Sequence, residues 1–292
     1  MPVNKNKNRL ILVTGATGHQ GGASLRHLRE RGFSTRALTR NPDDPKARAA
    51  GGHGVELARG DMEDPASLTR ALEGAYGVHS VQNSHSAGVE GEIRQGVNLV
   101  DAAKRSRISH FVYSSVASAD RNTGIPHFDS KARIEDHIRS AGMRYTIVRP
   151  VFFMENWLAM RQAIENGTLA LPMNPDTRLQ MIALDDIGGV VAMVFEHPGK
   201  WQDRIVELAG DELSMSDLAQ VFNRITGREV RYVQVPWNEF EAKAGHEMTL
   251  MYRWFQDVGY SVDIPALRLD YPKLTTFDRW INSNWHTAVR TA

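Results

Sequence analysis

Three glycines in the run Gly15-Ala16-Thr17-Gly18-His19-Gln20-Gly21 carry the plainest chemistry in this sequence. A glycine-rich turn between a strand and a helix leaves backbone N–H groups pointing at an anion, and the helix dipole adds partial positive charge there. The first glycine permits the tight turn. The second lets a pyrophosphate approach the backbone, and the third lets the helix pack closely on the strand. The spacing is Gly-x-x-Gly-x-x-Gly, and it means dinucleotide binding only where a strand precedes it and a helix follows. Thr17, His19 and Gln20 are grouped with the glycines as cofactor-binding residues.

The end of the next apolar run selects the cofactor. A carboxylate there would accept from the ribose hydroxyls of NAD. This sequence has Arg40 in Ala37-Leu38-Thr39-Arg40-Asn41-Pro42. A guanidinium suits a 2′-phosphate, which it can hold through two parallel hydrogen bonds. NADP(H) is therefore the expected cofactor, with NAD(H) bound more weakly. The competing reading is a surface arginine engaged by Asp43 or Asp44. Asp61, at the end of the third apolar run, contacts the adenine or caps the next segment, and Met62 is placed with it. Gln82 and Asn83 end the fourth run, and Ser114 and Ser115 the fifth. Pro150 and Phe152 complete the cofactor set. Ligands of such sheets bind outside the carboxyl ends of the strands, where all of these fall.

The elements that must position them alternate. Strands are predicted over residues 10–14, 34–39, 55–58, 78–82, 110–114 and 145–149. Helices are predicted over 22–31, 66–72, 92–105 and 130–140. Asp64-Pro65 is a good helix start, an acceptor cap followed by a residue with preset φ. Strand–helix alternation of this period implies βαβ units, right-handed crossovers and a parallel sheet. The fold class is α/β: a doubly wound parallel Rossmann sheet with a smaller α/β C-terminal region that forms a substrate site or lid. Residues 1–8 read as a flexible leader, 9–150 as the dinucleotide-binding domain and 151–292 as the C-terminal region, with segments of it free to return to the first domain. In that region helices are expected at 155–165, from 185 and at 216–226. Strands are expected at 179–183, 205–208 and 230–235. Trp237, Trp254, Trp280 and Trp285 suggest helices in the tail that pack these large rings against a core.

Composition excludes whole classes. The 35 basic and 34 acidic side chains nearly cancel, to a net charge of +1, so no broad field attracts nucleic acid or an anionic membrane. No apolar run is long enough to span a bilayer. With no cysteine, disulfides, thiol nucleophiles and cysteine-based zinc sites are ruled out, and a cytoplasmic location is expected. The histidines lack metal-ligand spacing, so no metal is expected.

In order along the chain, the Gly15–Gly21 loop, Arg40, Gly60-Asp61, the 111–116 strand, His127-Phe128-Asp129-Ser130-Lys131 and Val148-Arg149-Pro150 resemble the NmrA-like family of atypical short-chain dehydrogenases. The resemblance covers most of the chain. It implies the Rossmann domain and a small C-terminal domain that together form a cleft. It also implies two kinds of function, since some relatives are NADPH-dependent reductases of quinones or phenolic compounds and others are redox sensors that bind a dinucleotide and a regulatory partner. Ordinary short-chain dehydrogenases use Tyr-x-x-x-Lys. Here His127 holds the tyrosine place and Lys131 the lysine place, on one helix face. Lys131 keeps the ribose-holding role. His127 donates a proton, or is merely a residue just before the helix start.

The substrate side is assigned to Phe153, Asn156 and Trp157 after the sixth strand, with His85 after the fourth; Met173, Tyr252 and Trp254 are further cleft candidates. Apolar groups with one amide suit a flat aromatic ligand, though aromatics at this spacing also serve as core. The expected function is an NADPH-dependent oxidoreductase that passes a hydride to a quinone-like or other small electrophilic organic substrate. The alternative is an NADP(H)-binding redox sensor with little or no turnover, acting through a protein partner. A homodimer is a further expected partnership.

Overall fold

The structure, a computed structural model, describes residues 6–52 and 54–285. The leader expected over 1–8 lies outside the described residues for 1–5. Residues 6–8 form a turn pinned from both sides: Asn6 Nδ2 donates to the Arg31 carbonyl at 3.0 Å and Ser34 Oγ to the Lys7 carbonyl at 2.9 Å. The chain divides into two compact units. The first comprises Met1–Asn122, Pro126–Arg149 and Ile187–Glu207, the second Thr123–Ile125, Pro150–Asp186 and Leu208–Ala292.

The first unit is built on strands β1 (Leu10–Val13), β2 (Ser34–Thr39), β3 (Glu56–Arg59), β4 (Gly77–Ser80), β5 (His110–Ser114) and β6 (Tyr145–Pro150). With the strand Arg204–Leu208 they form a seven-stranded sheet, ordered Arg204–Leu208, β6, β5, β4, β1, β2, β3. The five pairings from β6 through to β3 are parallel, as the strand–helix alternation requires. The order reverses between β1 and β4, which is where a doubly wound sheet opens its ligand crevice.

The crossovers are α1 (His19–Glu30), α2 (Pro45–Gly51), α3 (Pro65–Ala71), α4 (Ser84–Arg105) and α5 (Pro126–Ala141). Side chains alternate across the sheet. Leu12, Val78, Phe111 and Tyr113 join Leu68, Leu99, Ala103, Ile134 and Ile138 in one core cluster beneath α3, α4 and α5. On the other face Gly188 matters, because a β-carbon there would lie 2.6 Å from the Ala23 backbone of α1. Phe195 packs on Phe33 and His110, with ring centroids 6.4 and 5.6 Å apart.

Three helix starts differ from expectation. α1 begins at His19, so the last glycine of the loop is already helical. α4 begins at Ser84, capped by Asn83, and kinks at Gly88, where φ is +71°. Its first turns carry no apolar periodicity, so the sequence showed only the part from Glu92 onward. α5 begins at Pro126 with preset φ, which puts His127 inside the first turn instead of before it.

The second unit holds a three-stranded sheet, Asp211–Ser214, Arg178–Ile182 and Phe152–Phe153, and a two-stranded parallel pair, Arg231–Gln234 with Thr168–Leu171. The helix expected at 155–165 is a 3₁₀ stretch, Met154–Met160, followed by a short α-helix, Arg161–Glu165. Trp157, Trp280 and Trp285 are buried, and Trp285 packs on Phe222 at 5.2 Å. Trp237 differs: its helix, Trp237–Ala244, buries no residue, and the indole lies under the Arg253 guanidinium. Met173, Tyr252 and Trp254 are core residues at 0%, 8% and 9% exposure, not cleft lining. Among the described residues no helix is long and apolar enough to cross a membrane.

Candidate functional site

The turn after β1 is set by two glycines. Gly15 has φ +60°, a conformation that side chains resist. Gly21 is required by space: a β-carbon there would stand 2.4 Å from the Gly15 carbonyl oxygen and 2.9 Å from the Ala16 α-carbon. This is the close helix-on-strand packing expected of the third glycine. Gly18 N–H donates to the Gly15 carbonyl at 2.9 Å and closes the turn. Gly18 then serves as N-cap of α1 in an extended conformation, with no side-chain cap and no acidic residue in the first turn. Among the described residues no side chain caps the first N–H groups of α1, an arrangement that can hold an anion. Thr17, Gly18 and His19 are exposed.

Thr14, which lies just outside the glycine motif, fixes this turn to the neighbouring strand end. Its buried hydroxyl donates to the Val81 carbonyl at 2.9 Å and accepts from the Val81 N–H at 2.7 Å. Sequence reasoning missed it, and a threonine directly before the glycines was the available signal. Gln20 Nε2 donates to Ser114 Oγ at 2.5 Å, joining the start of α1 to the end of β5. Loop, β4 end and β5 end are therefore one assembly at the switch point.

Arg40 is exposed and makes no hydrogen bond or ion pair among the described residues. Its two suspected partners are committed elsewhere: Asp43 to Arg48 at 2.9 Å, and Asp44 to the Lys46 N–H as cap of α2. A guanidinium with all its donors open suits a phosphate better than a local carboxylate does. Arg40→Ala is accordingly expected to weaken NADPH binding about tenfold or more, the effect of one lost charge-assisted contact, while NADH changes less than about threefold. Titration of both cofactors checks this; equal loss for the two would remove the phosphate assignment.

Asp61 takes the capping alternative, since its Oδ1 accepts from the Glu63 N–H at 2.9 Å. Gln82 and Met62 do come together: Gln82 Nε2 lies 3.6 Å from Met62 Sδ and donates to Ser80 Oγ at 3.0 Å. Asn98 of α4 holds the Met62 carbonyl at 2.9 Å. Asn83 Oδ1 accepts from the His85 N–H at 2.9 Å, so this acceptor caps α4, and His85 is exposed in the first turn of that helix.

Ser114 and Ser115 part company because successive strand residues face opposite ways. Both are buried, but Ser114 turns to Gln20 whereas Ser115 donates to Glu135 Oε1 at 2.5 Å. Glu135 also accepts from Arg149 in a bidentate pair at 2.8 and 2.6 Å, and Arg149 reaches Asp120 at 3.0 Å. Burial opposes the Arg149 charge, but these carboxylates hold its pKa above the usual arginine value. Ser115 is thus a structural tie between β5, α5 and β6, a correction to its cofactor assignment.

Lys131 lies on α5 with its Nζ 2.6 Å from Glu92 Oε1 on α4. Ser130 Oγ donates to the other Glu92 oxygen, and the His127 carbonyl, 3.1 Å away, is an alternative acceptor for the same hydrogen. Glu92 is fully buried and the Lys131 side chain 15% exposed. The His127 ring packs edge-on against Phe128 at 4.9 Å. Glu92 was missed because an isolated Glu at a helix position normally reads as surface.

In the second unit, Pro150 and Phe152 are buried, and Phe152 packs on Trp157 and Phe255 at 5.4 and 6.1 Å. Trp157 is 1% exposed and its indole N–H donates to Met181 Sδ at 3.1 Å, so it is a core residue and not a substrate contact. Phe153 is half-buried and Asn156 exposed.

The sequence profile of the NmrA-like family matches residues 7–281. An NAD(P)H azoreductase of Xenophilus azovorans is 31% identical over 77% of this chain and 77% of its own length. The crystal structure of the Escherichia coli NADPH-dependent quinone oxidoreductase QOR2 complexed with NADPH aligns with a TM-score of 0.82 at 24% identity, over 94% of this chain and 99% of that one. NmrA, a negative transcriptional regulator solved in complex with NADP, aligns at 0.78 with 22% identity over 94% of each chain.

Proposed function

Because the chain belongs to the NmrA-like family, we propose that it is an NADPH-dependent oxidoreductase that passes a hydride to a quinone-like or related electrophilic acceptor. The observation that carries the reading is the uncapped start of α1, whose approach to β1 only a glycine at position 21 permits. A glycine-lined turn that brings an uncapped helix start this close to the strand end supports reading it as a pyrophosphate cradle. The backbone N–H groups of His19, Gln20 and Gly21 would bind the pyrophosphate, Arg40 the 2′-phosphate and Lys131 the nicotinamide ribose. When bound, NADPH supplies the hydride, two electrons and a proton in one unit.

The chain offers no tyrosine at position 127 to protonate a carbonyl oxygen. This favours acceptors such as quinones, whose reduced form takes its remaining proton from water. Homologues named as an azoreductase and as a quinone oxidoreductase support the same acceptor class. The missing tyrosine also favours a second reading, a dinucleotide-binding regulator acting through a protein partner, as the NmrA regulator exemplifies. The two separate on loss of reduced-nicotinamide absorbance with a panel of quinones and enones. The enzyme reading expects turnover that falls sharply in Lys131→Ala. NADPH binding with no turnover against any acceptor would leave the regulator.

A further inference from the structure

Lys131 is not a free cation reaching into an open site. Its ammonium rests 2.6 Å from a carboxylate, Glu92, that is completely shut off from water. Glu92 stands on α4 one helical turn before Gly96. A β-carbon at Gly96 would lie 2.6–2.9 Å from the side-chain carbons of Ile134, so Gly96 is what lets α5 come this close. Ile134 in turn stands three residues after Lys131 on α5, on the same face. The close crossing at Gly96 and Ile134 therefore delivers Glu92 to Ser130 and Lys131 together. Both Glu92 oxygens are used, one by the Lys131 ammonium and one by the Ser130 hydroxyl. The fully buried Tyr113 hydroxyl has no hydrogen-bond partner among the described residues, and burial, with the charges of Glu92 and Glu135, pushes its pKa well up.

A buried carboxylate must be compensated, so this pair holds the Lys131 side chain in one geometry before any ligand arrives. Paired this way, the ammonium keeps two N–H donors beyond the one given to Glu92, on a side chain that is 15% exposed, and the pair as a unit is neutral. Such a unit matches a neutral polar group, a sugar hydroxyl, better than a phosphate. We infer that Glu92 is a positioning residue for cofactor binding, which fixes the Lys131 ammonium to donate to the nicotinamide ribose hydroxyls. The inference rests on the proposed role of Lys131.

A double-mutant cycle read by NADPH titration tests it. Glu92→Gln keeps the size and removes the charge. It is expected to weaken NADPH about tenfold in the otherwise unaltered chain, as loss of a charged hydrogen bond would, and less than about twofold when Lys131→Ala is already present. The KM for NADPH should rise in parallel while the KM for a quinone acceptor holds within about twofold, a split that general loosening would not give. An equal effect in both backgrounds, or none, overturns the inference. If Lys131→Ala alone leaves NADPH affinity unchanged, the ribose role of Lys131 fails and this inference with it. If Lys131→Ala weakens binding and Glu92→Gln does not, only the inference fails. Should Glu92→Gln not fold, Glu92→Asp, which draws the charge back by one methylene, runs the same cycle: a loss confined to the Lys131 background supports the inference, and an equal loss in both overturns it.

Discussion

Replacing Gly18 with Val should abolish dinucleotide binding and leave a cooperatively folded protein. Gly18 has φ −93° and ψ 172°, an extended conformation open to valine. A β-carbon there meets only the Gly15 carbonyl oxygen, at 3.3 Å, which a small shift can relieve. The isopropyl group would nevertheless crowd the N–H donors at the start of α1, where a pyrophosphate would sit. A loss of at least about a hundredfold in NADPH affinity, about 3 kcal/mol, is expected, with one unchanged thermal transition. Gly21→Val is the contrasting variant. Its β-carbon would fall 2.4 Å from backbone, so it should lose the fold's stability as well as the ligand. If Gly18→Val still binds NADPH, the cradle is elsewhere.

The second large effect concerns stability in acid. His79 lies in β4, wholly buried, and neither ring nitrogen has a hydrogen-bond partner among the described residues. Burial lowers its pKa from 6.5 to about 3. The unfolded chain therefore binds this proton as pH falls through about 6.5, while the folded chain refuses it until about pH 3. Stability from this residue is intact above pH 6.5 and is lost progressively down to about pH 3. At about 1.4 kcal/mol per unit, the loss approaches about 4–5 kcal/mol. His110, lowered from 6.5 to about 4 chiefly by burial, adds a smaller loss over the same range. His79→Leu, which cannot titrate and leaves no orphan nitrogen, should flatten the acid limb of a denaturant-midpoint against pH profile. An unchanged limb would show that the imidazole is not held neutral.

Much of the first unit was legible because its signals are local. The apolar run 10–13, the glycines after it and Asp64-Pro65 each specify their own backbone, and the alternation then dictates a parallel sheet. The place of Arg40 at the end of β2 was legible for the same reason, since it depends only on where that apolar run stops. The residues that sequence did not reveal are those whose role depends on a distant partner. Glu92 matters only because Gly96 admits α5. Ser115, one residue past the end of β5, differs from Ser114 only through the side to which it turns. The early start of α4 was hidden since Ser84–Gly91 lacks an apolar stripe. Aromatic residues after β6 could not be assigned from type alone, and Trp157 proved to be core. The return of residues 187–207 to the first unit gives no local signal, because a buried helix reads alike wherever it packs.

The most direct test of the account is a single-turnover experiment. The protein is loaded with NADPH, or with NADPH carrying deuterium at the transferable nicotinamide position, and mixed with a quinone while reduced-nicotinamide absorbance is followed. Hydride transfer predicts rapid loss of absorbance, slower with the deuterated cofactor and largely gone in Lys131→Ala. NADPH that stays bound and reduced against every quinone would contradict an oxidoreductase and leave a dinucleotide-binding regulator.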